Sequence, residues 1–156
     1  MTFQSICAAA HEHPSKPAMV YNGTTISYAT FAGAIGVASS FLQTQQLSPG
    51  CTVVVMIHNL LDSWTAVLAL QALGLHTVCV KSWAVLDTLG LNDVAGIVTT
   101  APETADHPLK PYASTGNRVI AIPGPAYDSA DLPVAPDVNG KTKTGGHILY
   151  TSGTTG

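Results

Sequence analysis

Charge is scarce in this chain. Charged residues make up 10% of the 156, against 46% hydrophobic, where globular proteins ordinarily carry about a quarter charged. A disordered tail needs the opposite balance, so the chain is expected to bury much of itself, and its length suits one domain of ordinary size. Basic residues are few and scattered, at Lys16, Lys81, Lys110, Arg118, Lys141 and Lys143, and the net charge is -3. Without a basic stripe there is no footprint for nucleic acid. Cysteine is also sparse: Cys7, Cys51 and Cys79 lie far apart and are odd in number. They read as free thiols in a reducing compartment, not as a disulfide frame. The opening MTFQSICAAAHEH has no basic leader and only a short apolar run, so no secretory signal is read and cytoplasm is the default. A C-terminal peroxisomal address could be carried only by a longer parent.

One stretch, Ser63 to Val80, is free of charge and approaches the roughly 20 residues of a membrane span. Gln71, Gly74 and His76 interrupt it. A buried helix, a glycine stop and a buried strand account for it better than a span.

The pattern along the chain alternates strands with helices. Phe3, Ile6, Cys7 and Ala10 fall at helical spacing over 2–12, and Pro14 and Pro17 end that helix. Asn22-Gly23 between two β-branched runs predicts a hairpin, since both central residues of a type I′ turn need positive φ. Ser27 is placed to cap a helix reaching Gln46, with Phe31, Ala34, Ile35, Ala38, Phe41 and Leu42 as its buried stripe. CTVVVMI, residues 51–57, is a continuous valine-rich run, the mark of a strand covered on both faces. A deeply buried helix at 61–73 stops at Gly74, and strands follow at 76–80 and 94–98 with a weaker helix at 84–91 between them. After a polar stretch from 100 to 117, RVIAI (118–122) is a fourth strand of this series and HILYT (147–151) a fifth. Prolines 123, 125, 133 and 136 with Gly140, Gly145 and Gly146 mark a long surface connection between them. The fold class is therefore α/β: a layered, mostly parallel sheet with helices and an N-terminal hairpin.

Several side chains have chemistry that the pattern does not support. His11-Glu12-His13 is spaced i, i+2, which turns the two imidazoles to different sides of a helix and argues against a metal site. His58 and His147 read as packing or surface residues, and Trp64 and Trp83 as core or edge aromatics. Lys81, directly after a buried strand, could meet a ligand carboxylate, although a solvated strand end is the expected state. No Gly-x-Ser-x-Gly elbow occurs.

The last strand runs straight into Ser-Gly-Thr-Thr-Gly. Glycines let several backbone N–H groups face one anion, and serine and threonine hydroxyls add neutral donors that can also touch magnesium. A Walker loop is not met. Composition leaves both a phosphate-holding loop and an ordinary exposed turn open.

The string LYTSGTTG (149–156) resembles the phosphate-loop signature of the adenylate-forming superfamily: acyl-CoA synthetases, nonribosomal peptide adenylation domains and luciferases. In that family the signature continues with Pro-Lys-Gly. Upstream, residues 17 to about 100 also resemble the family's N-terminal half, which has a hairpin, a Thr/Ser-Tyr pair opening a long helix, a Pro-Gly turn, then strand, helix and strand. Departures lie at Tyr28-Ala29-Thr30-Phe31, where the family has Tyr-x-Glu-Leu, at Cys51, where an acidic residue commonly follows the turn, and in ALGLHTVCV.

The resemblance implies that residues 1–156 are a partial AMP-binding domain, the incomplete N-terminal subdomain of an ATP-dependent carboxylate-activating ligase. Thr151, Ser152, Gly153, Thr154, Thr155 and Gly156 would wrap the β- and γ-phosphates of ATP. The parent would use ATP and Mg2+, a carboxylic acid, and CoA or a phosphopantetheine carrier as acceptor. It would also need the later part of the same fold, with its magnesium-binding glutamate, ribose-binding aspartate, adenine pocket and C-terminal lysine. The chain alone is expected to be inactive in adenylation, with no catalytic residue of its own. The alternative is a non-catalytic α/β module that binds a nucleotide or serves as an assembly surface.

Overall fold

A computed structural model of the chain describes residues 2–91, 94–100, 118–124, 127 and 145–149. Among the described residues four helices and seven strands follow one another: α1 (Phe3–Glu12), β1 (Pro17–Tyr21), β2 (Thr24–Ser27), α2 (Tyr28–Thr44), β3 (Thr52–Val55), α3 (Leu60–Ala72), β4 (His76–Cys79), α4 (Trp83–Leu89), β5 (Val94–Thr100), β6 (Val119–Ile122) and β7 (His147–Ile148). The connections expected at 100–117 and 123–145 lie almost wholly outside the described residues, as do Tyr150 and Thr151 of the expected last strand.

The hairpin forms where Asn22-Gly23 predicts it. Both residues have positive φ, 49° and 79°, and β1 pairs antiparallel with β2 on either side. The other strands make one five-stranded sheet in the order β6-β5-β3-β4-β7, and every adjacent pair is parallel. Its central strands are buried on both faces. Val53, Val55 and Val98 belong to one core, while Val54, Met56, Val78, Val80 and Ile97 belong to the other. That alternation follows from successive side chains pointing to opposite faces.

Helices α1, α2 and α3 contribute to the first core through Phe3, Ile6, Phe31, Ile35, Leu68 and Leu70. Helix α4 covers the second through Leu86. Strand order explains the division. From β3 the chain steps one way to β4, then reverses across β3 to reach β5. Crossovers of constant right hand must then place α3 and α4 on opposite faces.

Capping fixes the helix ends. Thr2 and Ser5 form a reciprocal capping box on α1, the Ser27 hydroxyl accepts from the Thr30 N–H at 3.2 Å, and Ser82 caps α4. Asn59 Oδ1 accepts from the N–H groups of Leu61 at 2.9 Å and Asp62 at 3.2 Å. Helix α3 closes with Gly74 at φ 78°. Leu75 N–H donates to the Leu70 carbonyl at 3.1 Å and Gly74 N–H to that of Gln71 at 3.0 Å, which is the paired closure that a left-handed glycine allows. Replacing Asn59 by alanine is expected to cost about 1 kcal/mol, read as a lower urea midpoint with an unchanged slope.

Helix α2 differs from its expected single stripe. Gly33, Gly36, Ser39 and Ala32 are buried along with Phe31, Ala34, Ile35, Ala38 and Leu42, while Phe41 is only half-buried. Small residues on the remaining faces let α1, α3 and the hairpin approach closely, so the helix is enclosed. The charge-free stretch Ser63 to Val80 resolves into most of α3 followed by β4, and among the described residues no helix is long and apolar enough to cross a membrane.

Candidate functional site

In a parallel sheet all carboxyl ends lie at one edge, and open α/β sheets bind ligands there, where adjacent connections leave toward opposite faces. Here that point falls between β3, which exits to α3, and β4, which exits to α4. A cleft of about 440 Å³ opens between them, lined by Val55, Ile57, His58, Leu60, Ser63, Trp64, Cys79, Val80 and Lys81. His58 and Lys81 are exposed at the two strand ends, and no carboxylate is among the described residues that line the cleft. Trp64, inside the helix expected at 61–73 to be deeply buried, keeps 46% of its surface open, and Leu60, one turn earlier and outside those bounds, keeps 64%. Both residues, with Ser63, line the cleft.

Cys79 lines this cleft and also borders a second hollow of about 220 Å³, formed with Trp64, Val67, Leu68, Gln71 and His147. Its Sγ lies 3.9 Å from the Ser63 hydroxyl. Although the residue keeps an exposed edge, desolvation of the thiol against the apolar wall raises its pKa, with the Ser63 contact pulling the other way. That favours the neutral thiol over a nucleophilic thiolate. Cys7 and Cys51 are likewise free and half-buried.

The Tyr127 hydroxyl donates to Asp62 Oδ1 on α3 at 3.1 Å and stands 2.9 Å from the Thr65 hydroxyl. Burial holds the phenol well above its usual pKa, and the Asp62 charge pushes the same way. Burial also raises the Asp62 carboxyl, partly offset by the Tyr127 hydrogen bond. A carboxyl raised by folding binds its proton more tightly in the native state. Its contribution is therefore most favourable below the unfolded pKa and declines as pH rises through the folded one.

The residues expected to hold phosphate, Thr151, Ser152, Gly153, Thr154, Thr155 and Gly156, lie outside the described residues. What leads to them is described. Strand β7 adds to β4 with Thr77 opposite His147 and Val78 opposite Ile148. Gly145 N–H donates to the Gln71 carbonyl at 3.0 Å and Thr77 N–H to the Gly146 carbonyl at 2.9 Å. Gly146 N–H donates to His76 Nδ1 at 3.0 Å, and His147 Nδ1 is 2.8 Å from the Thr77 hydroxyl. His147 is thus a strand-pairing residue, as its place at the start of a strand suggests. Because β7 runs parallel to β4, Leu149 leaves the sheet at the same edge as Cys79 and Lys81.

No family model matches the sequence, and no curated protein matches it at a significant level. Solved structures do match. The o-succinylbenzoate CoA synthetase of Bacillus subtilis, solved with the acyl-adenylate intermediate OSB-AMP, superposes with a TM-score of 0.68 at 19% identity, over 97% of this chain and 39% of that one. The N-terminal subdomain of Klebsiella oxytoca NpsA, in complex with anthranilyl-AMSN, gives 0.61 at 20% identity over 99% and 38%. The nonribosomal peptide synthetase FmoA3 gives 0.65 at 20% identity over 97% and 16%. The chain therefore carries part of the N-terminal subdomain fold of the adenylate-forming enzymes. It spans well under half the length of the proteins it matches.

Sequence reasoning did not assemble the cleft. Lys81 and His58 each carried a usable signal, a polar or basic residue directly after a buried strand. Nothing local showed that β3 and β4 are neighbours with exits on opposite faces, nor that Trp64 and Cys79 line the space between them.

Proposed function

We propose that the chain is the N-terminal portion of an ATP-dependent ligase that activates a carboxylate as its acyl-adenylate. The observation that carries the reading is the structural likeness over nearly the whole chain, joined to a hydroxyl- and glycine-rich stretch that follows β7. In this reading the substrate carboxylate attacks the α-phosphate of ATP, the bond to the β-phosphate breaks, and pyrophosphate leaves. Catalysis of such a step rests on positioning and on stabilising charge. The part assigned to this chain is to hold the β- and γ-phosphates through the hydroxyls of Thr151, Ser152, Thr154 and Thr155 and the amides around Gly153 and Gly156.

At the described edge, Lys81 at the end of β4 supplies a positive charge on the side toward which β7 leads. The same Bacillus subtilis synthetase has been solved with ATP and magnesium ion. For magnesium, the donors this chain offers are the serine and threonine hydroxyls of 151–155; the carboxylate that would complete the shell is assigned to the later part of the fold. That later part would also cover Ile148 on β7 and Leu149 just after it, which are 45% and 79% exposed. CoA or a phosphopantetheine carrier is assigned to the same complete enzyme as acceptor.

The test is calorimetric titration of the chain with pyrophosphate, alongside a Ser152→Ala, Thr155→Val variant. Each hydrogen bond to a charged group is worth about 1.5–3 kcal/mol, so the variant is expected to bind at least about tenfold more weakly, with its circular dichroism unchanged. Equal binding by the two proteins would overturn the assignment. Exchange of pyrophosphate into ATP, run with a panel of carboxylic acids, is expected to be absent from this chain alone, and turnover above buffer would refute that part.

A further inference from the structure

We propose that His76 is a positioning residue for β7: its imidazole takes the place of a backbone acceptor in the β4–β7 ladder, holds the strand in register, and can do so only while neutral. The consequence for phosphate rests on the reading of 151–156 given above; the hold on β7 does not.

Three observations carry it. The first is the ladder. Thr77 N–H donates to the Gly146 carbonyl at 2.9 Å, and a regular parallel pairing would send the Gly146 N–H to the carbonyl of Leu75. It goes instead to His76 Nδ1, at 3.0 Å. His76 lies within ALGLHTVCV, where this chain departs from the adenylate-forming pattern. The second is the donor. An amide N–H can only donate, so Nδ1 must present its lone pair and the ring proton must sit on Nε2. An imidazolium carries N–H on both nitrogens and cannot accept. The Thr77–His147 contact, at 2.8 Å, has no such restriction, because a hydroxyl donates or accepts as its partner requires. The third is how short the strand is. β7 has two residues, both exposed, so one lost rung is a large part of its pairing. The titratable groups on the elements around β4 are Cys51 on the approach to β3, His147 on β7, Asp62 in the first turn of α3, at the opposite end of that helix, and Asp87 on α4. All of them remain when His76 alone is replaced.

Two variants separate the roles. His76→Asn places Oδ1 where Nδ1 stood on the γ-carbon, an acceptor that does not titrate; His76→Leu has no acceptor. In the isotope-labelled chain the ring nitrogen shifts of His76 are expected to show the Nε2–H tautomer. Histidine changes charge between about pH 5 and 8. From about pH 8 to about pH 5.5, protection of the Thr77 N–H against hydrogen exchange is expected to fall about three- to tenfold, the worth of one hydrogen bond. Val80 N–H, bonded to Val55, is the reference within the same molecule. His76→Asn is expected to keep Thr77 protected at both pH values, and His76→Leu to lose a similar factor at both. Asparagine is the poorer strand former, so propensity alone predicts the reverse order. Pyrophosphate is expected to bind the unsubstituted chain and His76→Asn alike at the higher pH, and His76→Leu about threefold or more weakly. The proposal is overturned by an Nδ1–H tautomer, by full Thr77 protection in His76→Leu, by an acid-induced loss that persists in His76→Asn, or by equal pyrophosphate binding in the unsubstituted chain and His76→Leu. If the unsubstituted chain binds no pyrophosphate, the phosphate reading fails, and exchange alone decides the hold on β7.

Discussion

Phe31→Ala is expected to abolish cooperative folding or to leave a chain that melts far below the parent. Phe31 lies in the first turn of α2 and is fully buried, in the core shared by α1, α3, the hairpin and the sheet. Truncating a buried phenylalanine costs about 3–5 kcal/mol, a transfer loss plus a cavity that neighbours fill only in part. A domain of this size has about 5–15 kcal/mol in total. The surroundings also resist collapse. The neighbouring buried positions on α2 are Ala32, Gly33, Ala34 and Ile35, mostly residues with no side chain long enough to swing into the space. Urea unfolding followed by circular dichroism gives the measurement. Phe31→Leu, which keeps most of the volume, is expected to lose less than half as much, and Val20→Ala, at a position 67% exposed, about 0.5 kcal/mol or less. A Phe31→Ala midpoint within error of the parent would mean that the three-helix layer is not packed as described.

The contrast between Phe31 and Trp64 shows what could be read from the sequence. Phe31 belongs to a stripe whose period names its own face, and the hairpin at Asn22-Gly23, the cap at Ser27 and the stop at Gly74 are equally local: each depends on residues within a few positions of one another. Strand types were legible for the same reason, since a valine run buried on both faces needs no knowledge of its partner. The order β6-β5-β3-β4-β7 is different. It joins β4 to β7 across a separation of 70 residues, as in the Thr77–His147 contact, and no local pattern encodes such a pairing. The cleft inherits that difficulty, because its two walls come from strands whose adjacency is a property of topology. The likeness in residues 149–156 pointed to the family fold before the structure did, but the geometry of Thr151 to Gly156 lies outside the described residues and remains a proposal to be tested by pyrophosphate binding.

Gly145 is where local reading was most misleading, and Gly145→Ala is expected to unhook β7 from the sheet. In sequence this glycine is punctuation at the end of a long connection. In the structure the backbones of 145 and 75 lie in contact, so a β-carbon on Gly145 would overlap the Leu75 carbonyl and stand 2.7 Å from the Leu75 amide nitrogen. Both are backbone atoms at the closure of α3, held by the Leu75-to-Leu70 hydrogen bond, and cannot turn aside as a flexible side chain would. Overpacking of this kind typically costs about 1–3 kcal/mol, comparable with what a two-residue strand gains from its pairing with β4. The strand should therefore yield before the helix does. The readout is hydrogen exchange: Thr77 N–H, which donates to the Gly146 carbonyl, is expected to lose its protection, whereas Val80 N–H, which donates to Val55 on the other side of β4, keeps it. Gly124→Ala, where a β-carbon meets nothing within 4 Å, serves as the matched control. Because β7 delivers Leu149 to the edge where β3 and β4 end, the same substitution is also expected to weaken pyrophosphate binding. Full protection of Thr77 in the alanine variant would show that the 75–145 contact is looser than described, and that β7 is held by its side chains and not by the close approach of two backbones.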